Sequence, residues 1–112
     1  MKFMLTIYGN SEAWDALTAA DIDERDRVHK AVHDELRASG ELLASGELDN
    51  DVAKVVRTER GTVSVSDGPF TEAKEMVGGY YLVDCTSLDR AVEIAGRFTE
   101  AEYAPIEVRG LV

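Results

Sequence analysis

The sequence predicts an α+β domain in which strands and helices follow the order strand, helix, strand, hairpin, strand, helix, strand. Three observations carry this expectation. Apolar residues alternate with period 2 at the N-terminus, and the run Tyr80-Tyr81-Leu82-Val83-Asp84 after Gly78-Gly79 reads as another strand. Two segments carry apolar residues at helical spacing behind a capping residue. Two β-branched runs flank Arg60-Gly61, the signature of a hairpin.

Each element follows from local chemistry. Residues 2–8 set Phe3, Leu5 and Ile7 against Met4, Thr6 and Tyr8; both sets are largely apolar, so this strand belongs in the centre of a sheet covered on both faces. Gly9-Asn10-Ser11 ends it, and Trp14 and Leu17, three apart, mark a short helical turn over 11–18. Asp21-Ile22-Asp23-Glu24 fits a capping box with Asp21 as N-cap and Glu24 reaching back to it. The helix it opens runs to Ser39 and stops at Gly40, with Val28, Ala31, Val32 and Leu36 as its apolar stripe. Asp23, Arg27, Lys30, Asp34 and Arg37 form its solvated side. Residues 41–48 read as a weak strand, 53–58 and 62–66 as better ones. Asp67-Gly68-Pro69-Phe70 breaks the pattern, and Thr71 to Met76 reads as a loop with some helical character. Gly78-Gly79 leads into a strand over Tyr80 to Asp84. Ser87 caps a second helix with the stripe Leu88, Ala91, Val92, Ala95 and Phe98, and Ile106 to Arg109 is the last strand.

With the hairpin set aside, this is the split β-α-β-β-α-β order of a ferredoxin-like fold. Two helices cover one face of a four-stranded sheet. The other face, with Met4, Tyr8, one of Tyr80 and Tyr81, and residues of the hairpin, would be wet in a monomer. Pairing two sheets face to face buries it and encloses a chamber, so a homodimer is expected.

At 112 residues the chain is expected to be one domain, residues 1–112. Its 45% hydrophobic and 30% charged residues are those of a folded globular protein. Twelve basic against 22 acidic side chains leave a net charge of −10. That sign opposes binding to nucleic acid, which needs a basic footprint, and to anionic membranes. The longest apolar runs fall far short of the roughly 20 residues that span a bilayer. The opening Met1 to Tyr8 has no long apolar core and no small-residue cleavage site, so a cytoplasmic address is expected. Cys85 is the single cysteine; with no cationic residue or second cysteine beside it, it reads as a small buried hydrophobe. No phosphate-binding glycine pattern and no Gly-x-Ser-x-Gly elbow occurs, and neither a cofactor nor a metal is expected.

Asp67-Gly68-Pro69-Phe70, followed by Glu72, Lys74-Glu75, Gly78-Gly79 and Tyr80-Tyr81-Leu82-Val83, resembles the DGPF-type branch of the YCII-related protein family. The opening Met1 to Gly9, the helix end Glu35-Leu36-Arg37-Ala38-Ser39-Gly40 and the strand Ile106-Glu107-Val108-Arg109 resemble the same family, so the likeness spans nearly the whole chain. The resemblance implies a dimeric α+β barrel of ferredoxin-like protomers. It brings no settled reaction, although a His and an Asp facing a pocket have led to proposals of enzymatic activity. Members of this branch tend to be encoded near alternative sigma factors, which implies a regulatory association. The family histidine stands eleven residues before the glycine that ends the first helix, and that position is His29. The chain departs from the pattern at Val32, where an aromatic is common, at His33, where Asn is common, and at Gly110, where Pro is usual. Its second helix ends Phe98-Thr99-Glu100-Ala101-Glu102 without the Asp-Pro-Phe motif of simpler members, which leaves their acidic residue without a match.

His29 and Asp67 are therefore the candidate catalytic residues. A neutral imidazole at the edge of the helix stripe can move a proton near pH 7, and can equally serve as a hydrogen-bonded helix–sheet contact. His33 lies four residues on, but no Glu stands between the two in the zinc-protease manner and no third ligand is evident. Asp67 can orient His29, or can bond backbone amides of its own turn. Tyr81 and Arg109 are the candidate ligand contacts, Arg109 as a carboxylate fork; packing and a cross-strand ion pair are the alternative roles. Two functions fit. One is a dimeric small-molecule-binding or regulatory protein, with a protein partner drawn to its acidic surface. The other is a cofactor-independent lyase, isomerase or hydrolase using a His/Asp pair.

Overall fold

A computed structural model describes residues 1–70 and 74–112. Strand β1 (Lys2–Gly9) lies at the centre of a four-stranded antiparallel sheet ordered β2-β5-β1-β6, with β2 at Leu42–Glu47, β5 at Met76–Asp84 and β6 at Ile106–Gly110. Helix α1 (Ser11–Asp15) follows β1, α2 (Ala19–Ser39) precedes β2, and α3 (Leu88–Ala95) joins β5 to β6. β3 (Lys54–Glu59) and β4 (Thr62–Asp67) pair with each other in a separate two-stranded ribbon.

The core lies between one sheet face and the helices. Phe3, Leu5 and Ile7 of β1 and Tyr81 and Val83 of β5 meet Val32 and Leu36 of α2, Ala91, Ile94 and Ala95 of α3, and Phe98. The opposite sheet face is bare, with Met4 38% exposed and Tyr80 and Leu82 half-buried. The ribbon is wet on both sides. Cross-strand register puts Val56, Val63 and Val65 on one ribbon face and Val55, Arg57 and Ser64 on the other. Its two-residue turn has positive φ at both Arg60 (52°) and Gly61 (80°), as a type I′ turn requires. Because this arm projects, the radius of gyration is 15.9 Å, against about 13 Å for a compact chain of this size.

Four expectations need correction. Helix α2 begins a turn early: Thr18 is its N-cap, accepting from the Asp21 amide at 3.1 Å, while the Asp21 carboxylate accepts from the Thr18 amide at 2.9 Å. The capping box is real but Asp21 sits at its third position, because Ala19-Ala20 are good helix formers and extend the helix to Thr18. Gly40 ends α2 in the left-handed region, φ 81°, as expected. In its stripe, Ala31 is exposed and the inward positions are Arg25, Val28, His29, Val32 and Leu36. In α3, Leu88 and Val92 are about half exposed and Ile94 is fully buried. The small Ala91 and Ala95 bring that helix close to the sheet and turn Ile94 inward. β5 starts at Met76, so Gly78-Gly79 lies within the strand, next to a register shift opposite Ile7/Tyr8. Of the loop expected over 71–76, residues 71–73 lie outside the described residues. Cys85 is buried, its thiol donating to the Ser87 carbonyl at 3.4 Å.

Candidate functional site

His29 faces the sheet because it stands four residues after Arg25 and three before Val32, on the inward line of α2. Beneath it, β5 directs Tyr81 towards the helices and Tyr80 to the bare face, as the strand's alternation demands. Past the end of α3, a single 3₁₀ turn over Thr99–Glu102 turns Glu100 inward, where it is 8% exposed. The three side chains meet. His29 Nε2 lies 2.6 Å from Glu100 Oε2, and His29 Nδ1 lies 2.9 Å from the Tyr81 hydroxyl. The imidazole stacks on Phe98, with ring centres 4.6 Å apart and planes 18° apart, which fixes its orientation.

Electrostatics assign the protons. Burial pulls Glu100 towards its neutral form, but the His29 hydrogen bond and charge, its own backbone and Arg25 outweigh that, and its pKa lies below the ordinary carboxylate value. An ionised Glu100 only accepts, so His29 Nε2 carries a hydrogen, and in the neutral imidazole Nδ1 then accepts from the Tyr81 hydroxyl. Burial, and then the charge of Glu100, push the Tyr81 hydroxyl up to about 12, so it stays protonated. Carboxylate, imidazole and hydroxyl thus form one directed chain of hydrogen bonds, the base-and-orienter arrangement that can move protons.

This chain opens on a pocket of about 470 Å³, within the usual range for small-molecule sites. Ile7, Trp14, Arg25, Ser45, Glu47 and Tyr103 are among its walls. Arg25 Nε and Nη2 both donate to Asp26 Oδ1 at 3.2 Å. Burial and then Glu100 raise the Tyr103 hydroxyl. Trp14 is carried by α1, whose cap Asn10 accepts from the Ala13 amide at 2.8 Å and donates to the Glu75 carboxylate at 3.0 Å. Among the described residues no group of three or more His, Cys, Asp or Glu side chains gathers to hold a metal ion, and no helix is long and apolar enough to cross a membrane.

The pattern that describes the YCII-related domain matches residues 1–111. The chain belongs to the YCII-related family. An uncharacterized protein of Rhizobium meliloti (strain 1021) is 45% identical over 49 residues, 44% of this chain and 40% of that protein, so the match spans less than half of that relative's length.

In this YCII-related chain, the sequence-predicted site residues separate into two sets. His29 and Tyr81 come together, 52 residues apart in sequence, and Tyr81 lines the pocket. Asp67 does not join them within the chain: it ends β4, where its carboxylate accepts from Lys54 at 2.5 Å across the ribbon, and it is exposed. The carboxylate on His29 is Glu100. Arg109 lies on β6 opposite Met4, on the bare sheet face, with Glu107 3.9 Å away. Sequence reasoning missed Glu100, because Glu100 and Glu102 look alike in an acidic stretch and only the 3₁₀ turn separates the buried one from the exposed one. It also missed Arg25, one helical turn before His29, a spacing that was there to be read.

Proposed function

We propose that this YCII-related protein is a cofactor-independent enzyme that moves a proton on a small organic molecule. The single observation that carries the reading is the Glu100–His29–Tyr81 chain at the pocket wall. A substrate proton passes to the Tyr81 oxygen as the Tyr81 proton passes to His29 Nδ1. The resulting imidazolium is balanced by the Glu100 carboxylate. Return of the proton to a second substrate atom completes an isomerisation or an elimination. Asp67, first expected to orient His29, has that place taken by Glu100 within the chain; a role for it at the site would need a second protomer.

The reading includes a homodimer. The strand order β2-β5-β1-β6 under the connecting helices α2 and α3, with the ribbon set aside, supports a ferredoxin-like protomer. The bare sheet face and the valine face of the ribbon support face-to-face pairing in an α+β barrel of the DGPF-type branch. One observation favours the binding or regulatory reading instead: both ring nitrogens of His29 are already bonded within the chain, as a purely structural histidine would be. In that case the pocket takes a ligand without turning it over, and the acidic surface serves a protein partner, such as one linked to sigma-factor-type control.

Deuterium wash-in separates the two. The protein is incubated in D₂O with a panel of small carbonyl and hydroxy compounds, and C–H exchange is followed by proton NMR. The enzyme reading expects catalysed exchange on at least one compound and its loss by 10²- to 10⁴-fold, roughly, in His29→Gln. No catalysed exchange, or exchange that His29→Gln retains, overturns it.

A further inference from the structure

The pocket has a wall that the proton chain does not use. Trp14 is the only tryptophan of the protein. Helix α1, which carries it, buries none of its five residues, so the indole is not there to fill the core. It lies instead across two glycines on neighbouring strands. A methyl group on Gly9 would stand 2.5 Å from the indole ring, and one on Gly78 would stand 3.2 Å from it. Both strands lack side chains where a flat ring needs backbone beneath it. Asn10, 7% exposed, caps α1 and ties it to Glu75, which fixes the ring from its other end. Glycine backbone thus packs against the indole around Cζ2 while the residue still lines the pocket.

The charges around it narrow the ligand. Among the described pocket residues three carboxylates, Asp26, Glu47 and Glu100, stand against one guanidinium, Arg25, which Asp26 already engages. A phosphorylated or carboxylate-bearing ligand would meet net negative charge in a protein that carries −10 overall.

We infer that Trp14 is a stacking platform, and that the pocket takes a flat, conjugated molecule without net negative charge. This rests on the pocket being the working site proposed above, and it names the class of substrate. The ring of the ligand stacks on the part of the indole that lines the pocket, an arrangement that aromatic pairs favour when offset. Its ionisable hydrogen then reaches towards Tyr81 across the same pocket.

The test reads binding, so it stands apart from turnover. The single indole Nε1–H resonance of ¹⁵N-labelled protein is followed during titration with catechol, benzylammonium, benzoate, cyclohexanol and inorganic phosphate, with affinities taken in parallel by calorimetry. Catechol and benzylammonium are expected to move the indole signal with saturation, and benzoate to bind at least about 10-fold more weakly. Cyclohexanol and phosphate are expected to leave the signal in place. Trp14→Leu should cost catechol roughly 10-fold or more in affinity. Gly78→Ala, which crowds the indole but keeps the ring, should weaken it in the same direction. Saturable catechol binding with no catalysed exchange would overturn the proton chemistry alone, and catalysed exchange with no indole shift would overturn this inference alone. Equal binding of cyclohexanol, tighter binding of benzoate or phosphate, or full affinity in folded Trp14→Leu and Gly78→Ala overturns it.

Discussion

The main sheet and the ribbon are written in the same residues and end in opposite states. Leu5 and Val83 alternate with polar or larger neighbours and are 0% exposed; Val63 and Val65 alternate just as regularly and are 62% and 60% exposed, with Val56 opposite Val65 63% exposed. Period-2 patterning therefore sets which side chains share a face, and says nothing about what covers that face. In the body, α2 and α3 dock on the inner face of the sheet and bury it. In the ribbon, a type I′ turn and a ladder of cross-strand pairs form the strands with no third layer. A two-stranded ribbon is marginal alone in water, so this one depends on the body from which it extends or on another chain laid against its valines. The candidate site lies on the covered side, where the 2.6 Å carboxylate–imidazole contact is partly buried, its Glu100 and His29 side chains 10% and 24% exposed.

The comparison breaks most visibly at Phe98, 1% exposed and stacked on His29. Phe98→Ala should cost about 3–5 kcal/mol in urea unfolding and should also release the imidazole. A loss below about 1 kcal/mol would mean that the body is no better packed than the ribbon. Next comes Glu100→Gln, which keeps shape and removes charge. It should lower stability by roughly 1–3 kcal/mol and any proton-transfer rate by about 10²-fold or more. Glu100→Asp, which keeps the charge at a shorter reach, should recover part of the rate if charge is what His29 needs.

A third prediction is pH dependence. Arg90, with Ser39, holds the Glu41 carboxyl down to about 2 from its usual 4.5, through two 2.9 Å hydrogen bonds from the guanidinium. A folded-state pKa below the unfolded one adds stability that is complete above about pH 4.5 and is lost as pH falls towards 2. Glu100, also lowered, acts in the same direction. Urea midpoints should therefore drop between pH 4.5 and 2.5, and Glu41→Gln should flatten that limb; an unchanged limb would remove Glu41 from the account.

The smallest effect belongs to the ribbon. Val63→Thr with Val65→Thr should change the stability of dilute protein by less than about 0.5 kcal/mol, as exposed sites do. A larger loss that grows with protein concentration, together with a weaker dimer in sedimentation, would show that another chain covers those valines.

Much of the fold was legible because its signals are local. Gly40 ends α2, Ser87 caps α3 and Arg60-Gly61 turns the hairpin through contacts within about four residues, and each stands where the pattern put it. Even the displaced start of α2 was an error of one turn, since Thr18 and Asp21 form the same kind of box as Asp21 and Glu24. Segment 41–48, the weakest strand in the sequence, took an edge of the main sheet, while the two better ones stayed outside it. Strand propensity ranks segments, but docking decides membership. The site was half legible. His29 stood out by its helix position and its family likeness, while strand alternation set Tyr80 and Tyr81 on opposite faces without telling which of them meets His29. Asp67 looked like the partner because its motif is conspicuous, yet that motif ends a ribbon strand.

By itself, then, the sequence determined the strands, the helices, their ends and the acid balance of the surface, because caps, turns and periodicity act between near neighbours. Tertiary structure alone decided that Glu100 meets His29 across 71 residues and that Trp14 lies against Gly78. Those contacts arise only when α2 and a 3₁₀ turn settle on one sheet, and when β5 pairs with β1 in a single register, so no stretch of chain short enough to read locally contains them.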